Sequence, residues 1–524
     1  MTRQRKSERK PLSFSTTMRN PDRIAGFLNC ILPFEGKVLT NDVIFEVAAQ
    51  LIIKKLYYTE KYEMKVPQYK AIYKDEDAEF TKEQAFDIIR NSPQDHKEAG
   101  FEKGWPSRFD TWYKLPMEFG FISYAMNQPI KISQTGHMIV DAYNEQPTND
   151  KKVQNVMLNA MMKYQSDNPF RRNLNSNVPL LLLLNVLKLL KADTEENGAG
   201  LFRQELSLLI CWPNDDADAL YKKIKQLRKK VRFNYSDEYM YQICLDLLDA
   251  DSSKKNRFKM NQICGEAVDE YIRKMRSTGI ISLRGNGRFI DINTLEQEKI
   301  DYVITNYTKY SSYTDIDSYY LYMGSIDNKI LDIQQTVEID LSDIRKRTLY
   351  KYANEYTEEK VFDEIQRVCA KRDSTDPMLK FINAPTRLEF LTSIALVQGF
   401  KGLDVNPNYS VDDEGLPIFT AGGGIADIEC YDVDCDSFFE VTLMCGKQDQ
   451  LMNEIIPIRR HLVEHKAVRE ESFSVFVAPV VHTDTKEMAS WYKFKENLDI
   501  ITLNVGEFIN KVKTCEKVGY FLTT

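Results

Sequence analysis

Residues 425–444 read IADIECYDVDCDSFFEVTLM, and their pattern decides how the last third of the chain is built. Two runs, 425–433 (IADIECYDV) and 438–444 (FFEVTLM), alternate at period two around the short polar turn Asp434-Cys435-Asp436-Ser437, which predicts two neighbouring strands. Asp427 and Glu440 sit inside these apolar runs. Two carboxylates facing the same side of adjacent antiparallel strands repel each other unless a cation lies between them. Oxygen donors of this kind suit a hard ion, Mg²⁺ or Mn²⁺. Thr442 shares a face with Glu440, because strand side chains alternate. Between Lys401 and Lys447 there is no Lys, Arg or His but ten carboxylates, of which Asp412-Asp413-Glu414 and Asp434/Asp436 are expected in solvated turns.

Reading outward, residues 385–397 (PTRLEFLTSIALV) predict a helix with Pro385 in its first turn and Gly399 at its stop. Glu389 stands alone among Leu388, Phe390 and Leu391; a surface-facing position is the plain alternative to a functional one. Residues 448–465 predict a second helix, on which Glu454, Pro457 and His461 share a face at i, i+3 and i+7, a spacing that amphipathic helices often produce. Residues 473–481 and 499–503 read as buried strands. Helix, strands, helix, strand over 377–524 predicts a mixed sheet with helices on its faces.

The first 295 residues show a different rhythm. A helical stretch, a "GFI" strand (120–122), a polar turn near Asn127-Gln128-Pro129 and an "IKIS" strand (130–133) read as a winged helix. The pattern returns at 268–292, with Gly285-Asn286-Gly287 at the hairpin tip and Arg284 and Arg288 beside it. Between the hairpins, residues 222–232 (KKIKQLRKKVR) hold seven basic residues and no acid. This segment follows an apolar helical stretch, 201–212, and an acidic turn, so Lys222, Lys225, Arg228 and Lys229 are candidates to meet phosphates. A solvated helix face is the alternative. Residues 296–376 read as a helical linker whose tyrosines are packing groups. The expected domains are therefore 1–148, 149–295, 296–376 and 377–524 of a multidomain α+β protein.

Composition narrows the class. Lys and Arg number 70 against 77 for Asp and Glu, so the formal charge of −7 excludes a histone-like binder but says nothing of local patches. The longest apolar run, 178–184, belongs to a stretch interrupted by Asn185 and Lys188, short of the ~20 residues a bilayer needs, so no membrane is expected. Nine cysteines without paired spacing and a polar start, Met1 to Lys6, lead to the expectation of a cytoplasmic protein with reduced thiols.

Glu389 in a helix, then Asp427, then Glu440-Val441-Thr442 thirteen residues on resembles the core of the PD-(D/E)xK nucleases. The segments "PTRLEFLTSIAL", "AGGGIADIE", "FFEVTL" and "NEIIPIRRHL" are similar, more specifically, to the AlwI-like type II (type IIS) restriction endonucleases. The superfamily's proline before the aspartate is Ala426 here, and its lysine two residues after the glutamate is Thr442. The resemblance implies an N-terminal winged-helix DNA-recognition half ahead of a C-terminal nuclease domain that hydrolyses phosphodiester bonds. It implies a short asymmetric double-stranded site, cut at a fixed offset outside it. Asp427, Glu440 and the Val441 carbonyl would bind Mg²⁺, with Mn²⁺ able to substitute. Glu389 would orient the metal's water, and Glu454 and His461 would complete the site. Implied partners are duplex DNA, a DNA methyltransferase encoded nearby, and a second copy or second nuclease subunit for the other strand. A strand-specific nicking enzyme or one subunit of a heterodimeric enzyme is the alternative, and a DNA-binding regulator with a degenerate nuclease fold the more distant one.

Overall fold

Thr40, Ser133, Asp216 and Thr357 each accept a hydrogen bond from the backbone N–H three residues on, and a helix starts at each. These short polar side chains satisfy donors that an α-helix leaves orphaned at its beginning. The computed structural model describes residues 8–522 apart from 15–17, 19–20, 60–61, 76, 146–147, 197, 251–256, 309 and 334–339. The polar start, 1–7, lies outside the described residues. The chain divides into two compact units, one made of Met1–Val66 and Phe80–Thr336, the other of Pro67–Glu79 and Val337–Thr524.

In the first unit, β1 (Ile122–Ser123) and β2 (Lys131–Ile132) form the expected hairpin, with Ile122 opposite Ile132. It lies between helices Trp105–Glu118 and Gln134–Asn144. A second sheet has the order β3-β5-β4, from β3 (Leu201–Phe202), β4 (Ile281–Arg284) and β5 (Phe289–Ile292). Its hairpin tip needs Gly285, Asn286 and Gly287 because all three adopt positive φ (58°, 57° and 80°). Leu201–Phe202 corrects the reading of 201–212 as one helix; the helix there is Leu206–Cys211. Gly200 explains the difference, since a Cβ at that position would stand 2.4 Å from the Ile290 carbonyl oxygen. Backbone approach that close favours a third strand over a helical turn. The apolar run is the buried helix Pro179–Ala192. Among the described residues no helix is long and apolar enough to cross a membrane.

The second unit also takes up part of the expected linker. Helices Leu341–Glu355 and Glu358–Cys369 belong to it, while the stretch up to Thr336 goes with the first unit. They pack on helix Ala384–Gly399: the Tyr352 and Phe390 rings meet edge to face, and Gln398 donates to the carbonyls of Ala353 and Tyr356. Beyond that helix come β6 (Asp404–Pro407), the hairpin β7 (Tyr409–Val411) and β8 (Pro417–Ala421), then β9 (Ile428–Tyr431), β10 (Asp436–Val441), β11 (Ser472–Ala478) and β12 (Ile500–Asn504).

The five-stranded sheet has the order β12-β11-β10-β9-β6; β10, β11 and β12 run parallel, and β9 is antiparallel to both neighbours. This is the mixed sheet the sequence predicts. One face is sealed by Phe439 against Phe508 and Phe521. The other carries a core of Ile455, Ile458, Leu462, Phe476 and Tyr492, each large apolar side chain contributing ~1.5–3 kcal/mol by burial. Two carboxylates expected in solvated turns are buried. Asp412 accepts from Glu414 and Leu416 N–H groups to fold the β7–β8 turn, and Asp436 opens β10 paired with Arg469 at 2.6 Å.

Candidate active site

The β9–β10 ladder ends with Ile428 opposite Phe439, so Asp427 and Glu440 stand across from each other one step further along. Asn408 fixes the start of β9 by bonding the carbonyls of Asp427 (2.8 Å) and Ala426 (2.8 Å). The Val441 N–H donates to Asp427 Oδ2 at 2.7 Å. Glu389 is 2% exposed, so its helix turns it inward, and its carboxylate accepts the Ala421 N–H at 3.1 Å. The β8 end thus anchors it near Asp427.

Glu454 comes from the long helical run after β10. That run begins as Lys447–Asp449, opens into a π-helix over Gln450–Ile455 and continues as Ile456–Val468. Pro457 has no N–H to donate to the preceding turn, and wider π geometry just upstream is a common response to such a break, often near functional residues. The Thr442 hydroxyl, standing where the superfamily has lysine, accepts the Met444 N–H at 3.1 Å and favours the ionised form of the Glu454 carboxylate. Gln450 braces the start of the run. It is fully buried, donates to the Met444 and Val480 carbonyls, and accepts from the His482 N–H and the Thr485 hydroxyl.

Charge shows what these placements amount to. Burial, then Asp427, raises the Glu389 carboxyl well above its usual range. Burial, then Glu440, does the same to Asp427, and burial, then Glu454, does so to Glu440. Glu454 is pushed up to about 8 by burial and by Asp427, against the pull of the Thr442 hydroxyl. Four carboxylates, Glu389 and Glu440 buried and Asp427 and Glu454 half-buried, therefore disfavour one another's ionised forms, and no Lys, Arg or His lies between residues 401 and 447 in the sequence. Lys447 ion-pairs with Asp484. His461 is buried on the same run, with Nδ1 3.6 Å from Glu440 Oε1 and neither ring nitrogen hydrogen-bonded among the described residues. Burial lowers its pKa, with Arg460 adding to the effect.

This donor set fits a hard divalent cation in chemistry: oxygen donors, two of them buried and two half-buried, and clustered negative charge. Among the described residues no three acidic, His or Cys groups already form a coordination sphere, so binding an ion would draw the carboxylates together. The structure thus brings all five predicted residues, Glu389, Asp427, Glu440, Glu454 and His461, into one neighbourhood. Sequence reasoning missed Gln450 and the role of Thr442. A buried glutamine with four partners leaves no periodic signal, and a threonine in a strand reads as ordinary β composition.

The basic candidates divide. Lys222, Lys229 and Arg288 are exposed, Lys229 with only a 3.8 Å approach to Glu195. Lys225 is engaged by Asp193 (2.6 Å) and Glu195 (3.0 Å), and Arg284 by Asp291 (2.9 Å). Arg228 is corrected outright. It is 4% exposed and clamped through Nε and Nη2 on Glu205, which also holds the Tyr235 hydroxyl, so it belongs to the core of its unit.

The sequence model of the AlwI restriction endonuclease family matches residues 117–341 and 325–510. No curated protein matches the chain. Among solved structures, the small subunit of the heterodimeric restriction endonuclease R.BspD6I is similar at 24% identity over 29% of this chain and 76% of that one, with a TM-score of 0.25. Restriction endonuclease FokI is similar at 12% identity over 97% of this chain and 95% of that one (TM-score 0.25). Its DNA-bound form is similar at 12% over 97% and 96% (TM-score 0.26). The matched family segments run through both sheets of the first unit and through all four converging carboxylates, and on that extent the chain belongs to the AlwI restriction endonuclease family.

Proposed function

We propose that this restriction endonuclease is a Mg²⁺-dependent enzyme of type IIS, which reads a short asymmetric duplex site and cuts at a fixed offset outside it. The observation that carries the reading is the convergence of four carboxylates, two buried and two half-buried, all with raised pKa values, beside a buried histidine whose ring nitrogens make no hydrogen bond among the described residues. Asp427 and Glu440, with the Val441 carbonyl, would hold the ion, and Mn²⁺ would substitute. A divalent cation there supplies Lewis acidity toward the phosphate and lowers the pKa of an attacking water. Glu389 and Glu454 would orient that water, Glu389 fixed by the Ala421 N–H and Glu454 beside the Thr442 hydroxyl that favours its ionised form. His461, held neutral by burial, takes the water's proton on a ring nitrogen.

The hairpins of the first unit act as wings of a DNA-reading half, with Lys222, Lys229 and Arg288 on phosphates. A cognate DNA methyltransferase would protect the host's own sites. Digestion of a sequenced plasmid with and without Mg²⁺, followed by run-off sequencing, tests the reading. Cleavage should require the metal and fall to one side of the site. Asp427→Ala and Glu440→Ala should abolish cutting while retaining site binding. Metal-independent cutting, or cutting by either variant at the parent rate, overturns it.

One carboxylate constellation faces a duplex of two strands, which supports a second reading in which this chain nicks one strand or serves with another subunit. Double-strand cleavage that rises more than linearly with enzyme concentration, while nicking rises linearly, indicates recruitment of a second copy. Nicking alone at every concentration indicates a single-strand enzyme.

A further inference from the structure

The helical run that carries Glu454 and His461 starts without a cap of its own. Gly446, the residue before it, has no side chain to accept the first N–H groups. Asp77 does this instead: its Oδ2 accepts the Lys447 N–H and its Oδ1 the Gln448 N–H at 3.3 Å. The site is close-fitting, since a Cβ on Gly446 would stand 3.1 Å from Asp77 Oδ1. His482 Nε2 lies 4.0 Å from Asp77 Oδ2, adding a favourable charge when protonated. Asp77 is steadied in turn, its own N–H donating to Asp75 Oδ1 at 3.1 Å. Asp77 belongs to Pro67–Glu79, a stretch that groups with the nuclease-bearing unit although the chain on both sides of it, Met1–Val66 and Phe80–Thr336, groups with the other.

We propose that Asp77 is a positioning residue for cleavage, an N-cap supplied from 370 positions away in sequence that sets where Glu454 and His461 stand. A carboxylate across the first N–H groups satisfies orphan donors and meets the positive end of the helix dipole. Glu454 stands seven positions after Lys447, inside the π-helical turn Gln450–Ile455. A run that frays at its start loses the geometry of that turn first. The consequence is that the catalytic helix is complete only while the 67–79 excursion is docked. The chain segment leading out of the recognition half thereby acquires a hold on the rate of the chemical step.

The inference rests on the proposed roles of Glu454 and His461. It is tested on the full-length enzyme with cognate DNA and Mg²⁺. Asp77→Ala should lower turnover at saturating DNA about tenfold, the scale of a lost cap, with DNA affinity unchanged. Asp77→Asn, whose amide oxygen still accepts, should recover most of the rate. In the Asp77→Ala background, Gly446→Ser should also recover it, because the extended backbone there (φ −71°, ψ 141°) lets a serine cap its own helix. Parental turnover in Asp77→Ala, a loss that appears in affinity rather than turnover, or a double variant as slow as Asp77→Ala overturns the proposal. Glu454→Gln and His461→Ala serve as reference variants. If the parent cuts and these two cut equally well, the reading of the site fails. If they are inactive while Asp77→Ala is not, only the positioning role fails.

Discussion

Lys222 and Arg228 lie on one helix, Ala217–Val231, yet have opposite fates: the first is exposed and the second buried against Glu205. Removing one member of a buried ion pair strands the other, so Arg228→Met should cost about 3 kcal/mol or more in urea unfolding and leave the salt dependence of DNA binding unchanged. Lys222→Ala and Arg288→Ala should do the reverse, with stability retained and the slope of log affinity against log salt flattened by roughly one unit each. Thr442 gives a second residue-scale test. Thr442→Val keeps the shape and removes a hydroxyl that accepts the Met444 N–H and favours the ionised Glu454 carboxylate, a loss of about 1 kcal/mol, so cleavage should slow several-fold with only a small drop in Tm.

The helical run after β10 is held near its start, beyond the Asp77 cap, by a side chain that reaches neighbours on several sides. Gln450 ties the loop after β10, through Met444, to the loop after β11, through Val480 and His482, and to the following helix through Thr485. Gln450→Leu fills the space and leaves four polar groups to find water or go unpaired. The expected cost is about 3 kcal/mol in denaturant unfolding, with cleavage reduced further than the unfolded fraction explains. Parental rates in a folded Gln450→Leu protein would show that the loop ends are held by packing alone. Helix and strand positions along this region are close to those read from the pattern. The π-helical turn is not, because it arises from Pro457 together with what the turn must meet in space.

The whole second unit carries its converging carboxylates at a cost that pH and metal should reveal. Glu454 titrates near 8 in the folded chain and near 4.5 when unfolded, so the folded state binds the proton more tightly. Its contribution to stability is full below about pH 4.5 and is lost as pH rises through about 8, an upper bound on the order of 5 kcal/mol that solvent around the half-buried carboxylate reduces. Asp427, Glu440 and Glu389 shift in the same direction and steepen the trend. Metal-free protein should therefore melt lower at pH 8.5 than at pH 5, and Glu454→Gln should flatten the difference. Mg²⁺ competes with those protons and should raise Tm more at pH 8.5 than at pH 5. An equal effect at both values would show that the ion binds elsewhere.

Local pattern was enough to determine the strands around Asp427 and Glu440, the helix around Glu389, both hairpins of the first unit and the family resemblance, because period, turn chemistry and short motifs are written in consecutive residues. Side-chain fate was not. Whether Arg228 meets solvent or Glu205, and whether Asp412 and Asp436 are solvated or buried, depended on partners brought close only by the fold, as did the influence of Thr442 on Glu454. The cap that Asp77 places on Lys447 is the extreme case. A hydrogen bond between residues 370 positions apart leaves no periodic trace in either segment, and only the folded backbone brings donor and acceptor within reach.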